Sequence, residues 1–232
     1  MENITIKTFL AITLVNAYTI TNTSDQKSSA EELVKLTQQF YTDTVENPES
    51  SVLEKALAKH ALEDAQFEEQ MTHVLQYKKN LTPEQRYYQA IDELEESFRK
   101  KVDYSKSMQS EYFKNSTRNI YRTQASTLMY IINFEIPDIY ESIVLLHEQF
   151  INKQDALLAV YSEAYKSSEW NESHQSIKTA GKIATEVRNN AYNRAKAIDD
   201  IKKSSYPNLE DFSHALARER IQNFVKKPFE TP

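Results

Sequence analysis

The sequence has no cysteine, a single glycine (Gly181) and a single tryptophan. Glycine averages about 7% of residues, so a chain of 232 residues would ordinarily carry about sixteen. Glycine is the residue that takes positive φ and lets a backbone press against a ligand. Its scarcity excludes a P-loop, a Gly-x-Gly-x-x-Gly dinucleotide turn and a Gly-x-Ser-x-Gly nucleophile elbow. The lack of cysteine removes disulfide frameworks, thiolate nucleophiles and cysteine-ligated zinc together. No His-Glu-x-x-His occurs either. No catalytic residue, cofactor or metal is therefore expected.

Long apolar runs are also missing. The mostly apolar run at residues 8–15 falls well short of the roughly 20 residues that span a bilayer. Positive charge is in deficit, with 28 Lys and Arg against 34 Asp and Glu. A net charge of -6 argues against nucleic acid as the main partner, because phosphate contacts need a basic surface.

What the chain does have is spaced apolar residues, 40% of the whole, including 14 Tyr and 10 Phe. They recur at helical intervals, which predicts helices that each bury one stripe. Charge alternates along the sequence: net -9 over residues 31–98, +5 over 99–133, -6 over 134–174 and +4 over 175–205. Complementary neighbouring helices account for such a pattern more simply than a basic docking face does.

Residues 1–17 have the plan of a secretory signal peptide: Lys7, a short apolar run from Thr8 to Val15, then Val15-Asn16-Ala17 as a cleavage site. Residues 18–27 form a polar linker, residues 28–227 one helical domain and residues 228–232 a tail. Export would make Asn22, Asn80, Asn115 and Asn171 glycosylation acceptors, each heading an Asn-x-Ser/Thr triplet.

Caps mark the helix starts. Ser28 with Glu31, Thr82 with Gln85 and Asp138 with Glu141 each read as a capping box, and Asn47-Pro48 as a cap followed by a first-turn proline. The first helix carries Leu33, Leu36 and Phe40. The second, 48–79, shows a heptad seam of Leu53, Leu57, His60, Asp64, Phe67, Met71 and Val74. A third helical stretch continues from Pro83 to Ile136 with a stop at Pro137, either as one helix or as two with a break at Asp103-Tyr104-Ser105, where the periodicity weakens. A fourth covers 138–168 on a seam of Ile143, His147, Phe150, Leu157, Tyr161 and Ala164. A fifth covers 173–204, and Ser205-Tyr206-Pro207 separates it from a short last helix. The expected fold is all-α: an elongated antiparallel helical bundle with coiled-coil-like seams, four long helices and short terminal helices.

Three constellations stand out. His60 and Asp64 share a helix face, but two ligands are too few for a metal site, and a polar pair in a heptad seam is a register device. Arg99, Lys100, Lys101, Lys106, Lys114, Arg118 and Arg122 interleave with Tyr112 and other aromatics as a candidate basic and aromatic face, which can also be a solvated helix surface. Ala180, Gly181, Ala184 and Ala191 form a candidate close-packing face on the fifth helix. Asp211-x-x-His214 has one half of a di-iron motif and no second half.

The functional expectation is a non-enzymatic, secreted helical-bundle protein presenting a long helical surface to a protein partner or apolar ligand. Two alternatives remain. One is a membrane-active or lipid-binding helical protein, such as a toxin-like subunit. The other is a cytosolic coiled-coil scaffold, should residues 1–17 stay in place. Oligomeric state is not legible from the sequence.

Overall fold

The computed structural model describes residues 26–74, 81–114, 118–166 and 174–225. Every regular element among them is helical: α1 (Gln26–Glu46), α2 (Val52–Val74), α3 (Pro83–Tyr112), α4 (Arg118–Tyr130), a π-helical turn (Ile131–Glu135), α5 (Ile136–Lys166) and α6 (His174–Val225). The chain is an all-α helical bundle. Its contacts divide it into two compact units. Unit 1 is Met1–Ala90 with Leu146–Asn193, and unit 2 is Ile91–Leu145 with Arg194–Pro232.

In unit 1, α1 and α2 form a hairpin. The Asn47 side chain accepts from the Glu49 amide at 3.0 Å, which shapes the turn rather than capping α2. The cap is Ser51. Its hydroxyl accepts from the Glu54 amide at 3.2 Å while the Glu54 carboxylate accepts from the Ser51 amide at 2.7 Å, a capping box that the Asn47-Pro48 reading missed. The Thr82–Gln85 box is present as expected, at 3.2 and 2.9 Å. Helix α1 is already formed at Gln26, ahead of Ser28.

Its buried stripe is Leu33 and Thr37, whereas Leu36 is exposed. Thr37 is tolerated inside because its hydroxyl donates to the Leu33 carbonyl at 2.9 Å. Helix α2 buries Ala58, Ala61, Leu62 and Ala65 with Phe67 and Met71, whereas Leu53, Leu57, His60 and Asp64 of the expected seam are only half-buried. The start of α3 runs antiparallel to α5, pairing Glu84 with Lys153 and Tyr87 with Phe150. Helix α5 likewise opposes α6, through Asp155 with Arg188 and Tyr165 with His174.

Unit 2 has an aliphatic centre of Leu128, Ile132, Ile136, Ile143, Ile198 and Leu209, with Phe98 and Phe212. Helix α3 is antiparallel to the π turn and the start of α5, through Lys101 with Glu135 and Phe98 with Tyr140. It is parallel to α6, through Glu95 with Arg194 and Gln109 with the Asn208 carbonyl.

Three predicted boundaries are corrected here. The helix does not break at Asp103–Ser105. Val102 and Ser105 are both buried there, and the small serine weakens the apolar pattern without interrupting the seam. It ends instead at Tyr112, so the stretch over residues 83–136, expected as one helix or two, divides there.

Pro137 does not stop the chain either. The Ile136 amide bonds the Ile131 carbonyl five residues back, and this wider turn carries the helix through the proline. Asp138 therefore caps nothing.

Pro207 lies inside α6. A mid-helix proline costs about 3 kcal/mol. The stripe of Ile198, Ser205, Leu209, Phe212 and Leu216 keeps its phase across it, and each of these side chains is buried. Burying a large apolar side chain contributes about 1.5–3 kcal/mol, so the three beyond the proline outweigh it.

Candidate functional sites

The first site is a charged cluster inside unit 1. Lys153 on α5 is only 7% exposed at its side chain. Its ammonium lies 2.6 Å from Asp64 on α2 and 2.6 Å from Glu84 on α3, and 4.6 Å from the centre of the Phe67 ring. One turn along α2 from Asp64, Glu68 faces Arg86 of α3 at 3.6 Å. Beneath them Tyr87 stacks on Phe150 at 3.9 Å, and its hydroxyl shares a 2.9 Å hydrogen bond with His147 Nδ1. His60 Nδ1 and Arg86 Nε are buried with no hydrogen-bond partner among the described residues.

The electrostatics follow from that packing. Burial works against the Lys153 charge, but Asp64 and Glu84 outweigh it and hold the ammonium above the ordinary lysine range. Burial also opposes the Glu84 charge, and Lys153 overcomes it, so Glu84 falls below the usual glutamate value. Glu68 has no such close cation. Burial, reinforced by Asp64, pushes it up to about 7. Burial keeps His60 below its ordinary value, although Asp64 pulls the other way. A cluster of this kind can bind and release a proton near neutral pH.

The second site is the π turn of unit 2. Continuing the register of the Ile136 bond, residue 137 would serve the Ile132 carbonyl, but proline has no N–H to give. The Tyr206 hydroxyl on α6 donates to that carbonyl instead, at 3.1 Å. On the opposite side Tyr130 and Phe134 point outward, 55% and 56% exposed, with ring centres 5.5 Å apart.

The predicted residues fall out as follows. His60 and Asp64 do share a face, and Asp64 is committed to Lys153. Among the described residues no group of three or more His, Cys, Asp or Glu could hold a metal ion. Three basic residues at the middle of α3 have acidic partners, and Arg99 and Lys100 are exposed. Arg99 and Lys100 pair with Glu95 and Glu96, at 3.8 and 2.5 Å, and Lys101 pairs with Glu135. Tyr112 is buried, with its hydroxyl on Glu219 and its ring against Phe212. Lys106 and Lys114 are exposed. The side chains of Arg118 and Arg122 lie outside the described residues, as do residues 1–17 and all four glycosylation triplets' asparagines.

On the small face of α6, Ala184 and Ala191 are buried while Ala180 and Gly181 are half-buried. Asp211 and His214 are both exposed.

Sequence reading missed Lys153, Glu68 and Arg86. A gap in the α5 seam between Phe150 and Leu157 was the available signal. It is filled by Lys153 and Gln154, both buried.

Compared with known proteins, the chain matches no family model, no curated protein and no solved structure. Among the described residues, no helix is long and apolar enough to cross a membrane.

Proposed function

We propose that this chain is a non-enzymatic, exported helical-bundle protein that binds a protein partner through its outer helical surface. The observation that carries the reading is the Tyr130–Phe134 pair: two large rings, in mutual contact and more than half exposed, on a backbone irregularity fixed from behind by Tyr206. Aromatic anchors held in one place dominate binding energy at protein interfaces, and π turns recur at functional positions in helices. Export rests on the pattern of residues 1–17.

The test compares wild type with a Tyr130→Ala/Phe134→Ala double variant in co-precipitation from the medium of the native source. Circular dichroism first establishes that both are folded. A protein retained by wild type and lost by the double variant is the expected result. Equal retention removes these rings from the interface. N-terminal sequencing of the natural protein tests export separately: a start at Tyr18 is expected, and a retained Met1 overturns it.

A further inference from the structure

Within the charged cluster of unit 1 the carboxylates outnumber the cations by one, and a proton on one carboxyl group balances them. Three carboxylates, Asp64, Glu68 and Glu84, face two cations, Lys153 and Arg86. Lys153 sits at 2.6 Å from two of the three, whereas Glu68 has only a 3.6 Å approach to Arg86. Side chains of Glu68 and Arg86 are each less than one-fifth exposed, so water screens the surplus charge poorly.

We propose that this cluster is a pH-sensitive latch, which holds α2 against α3 and α5 while Glu68 carries a proton and loosens α2 once that proton leaves. The groups acting on Glu68 are Asp64 on its own helix, Arg86 and Glu84 on α3, and Lys153 on α5; none from α1 figures among them. With Glu68 neutral, two carboxylates meet two cations. With Glu68 ionised, a buried negative charge is left over, and Asp64, one turn away, repels it. The cluster belongs to unit 1 and the Tyr130–Phe134 pair to unit 2.

The sign of the response follows from proton linkage. Glu68 is raised from 4.5 to about 7 in the folded chain, so the folded state holds the proton more tightly than the unfolded state. Its contribution to stability is fully present below the unfolded value and is lost as pH rises through about 7. His60 acts in the other direction. Its lowered value makes it erode stability as pH falls through its ordinary value of 6.5, so its effect has to be cancelled by comparing wild type with a variant that keeps His60.

Hydrogen exchange of the α2 amides, corrected for the intrinsic pH dependence of exchange, measures the opening on the full chain. Between about pH 6 and pH 8 the opening constant of wild type is expected to rise about tenfold relative to that of Glu68→Gln, a ratio in which the His60 contribution cancels. The same slope in both proteins overturns the latch. Should Glu68→Gln not fold, a carbon-13 titration of the wild-type Glu68 carboxyl decides the matter. A midpoint near 7 that drops in Asp64→Asn supports the latch, and a midpoint in the ordinary glutamate range overturns it.

Discussion

Unit 1 and unit 2 draw on the same three long helices, α3, α5 and α6, yet they bury different chemistry. Unit 1 closes around a lysine, its carboxylates and an aromatic stack. Unit 2 closes around isoleucine and leucine, and its main irregularity is in the backbone. A buried ion pair is costly to desolvate and adds little net stability, but removing one partner is expensive because the other charge is stranded. An aliphatic core has no such asymmetry. Unit 1 is therefore the unit that one substitution, or one proton, can disturb most.

The sharpest way to break that comparison is Lys153→Met, which keeps the length of the side chain and removes its charge. Asp64 and Glu84 then face each other across an apolar side chain. The expected loss is about 3 kcal/mol, at the low end for a buried pair because Glu84 is partly exposed to water. The matched change in unit 2 is Arg194→Met, whose partners are Asp92 and Glu95. Asp92 is two-thirds exposed, and Glu95, although buried, keeps Arg99 at 3.8 Å, so a smaller loss of about 1 kcal/mol is expected. Urea unfolding followed by circular dichroism measures both. Equal losses would mean that unit 1 gains nothing special from burying its lysine.

Unit 2 has its own weak point in Tyr206. Tyr206→Phe leaves the buried Ile132 carbonyl without a donor, at a cost of about 1–2 kcal/mol. The cause can be isolated. Pro137→Ala restores an N–H at the position that would otherwise serve Ile132, so in that background Tyr206→Phe should cost much less. Identical costs in the two backgrounds would show that the tyrosine stabilises unit 2 through packing alone.

These two sites differ in how far they could be read from the sequence. Helix identity was legible almost everywhere, because apolar spacing and glycine scarcity both concern local structure. The Thr82–Gln85 cap was legible for the same reason: both of its hydrogen bonds lie within four residues. Pro137 and Pro207 misled, since the cost of a proline is local while what offsets it is distant. For Pro137 it is a widened turn whose orphan carbonyl is served from 74 residues away. For Pro207 it is a stripe of buried side chains that continues past the break. Lys153 was invisible because a lysine in a seam looks like a gap until Asp64 and Glu84 are brought to it from two other helices. Both polar residues of the α2 seam were noticed, and only one of them had its partner named by the fold.

The smallest expected effect concerns Gly181, whose place in a helix suggested a close crossing. Its φ is not positive, so the backbone there does not require glycine. A Cβ added at this position would meet the Tyr161 Cβ of α5 at 3.8 Å, an ordinary contact distance. Alanine therefore fits without displacing its neighbour. Glycine within a helix is about 0.5–1 kcal/mol less favourable than alanine. Gly181→Ala is expected to stabilise unit 1 by about that amount, and the new methyl adds a small contact with Tyr161. A side chain as large as leucine must instead pass Tyr161, and Gly181→Leu should lose the gain. Thermal melts of the two variants against wild type check the ordering. An alanine variant that melts below wild type would show that the α5–α6 crossing is tighter than the 3.8 Å contact implies.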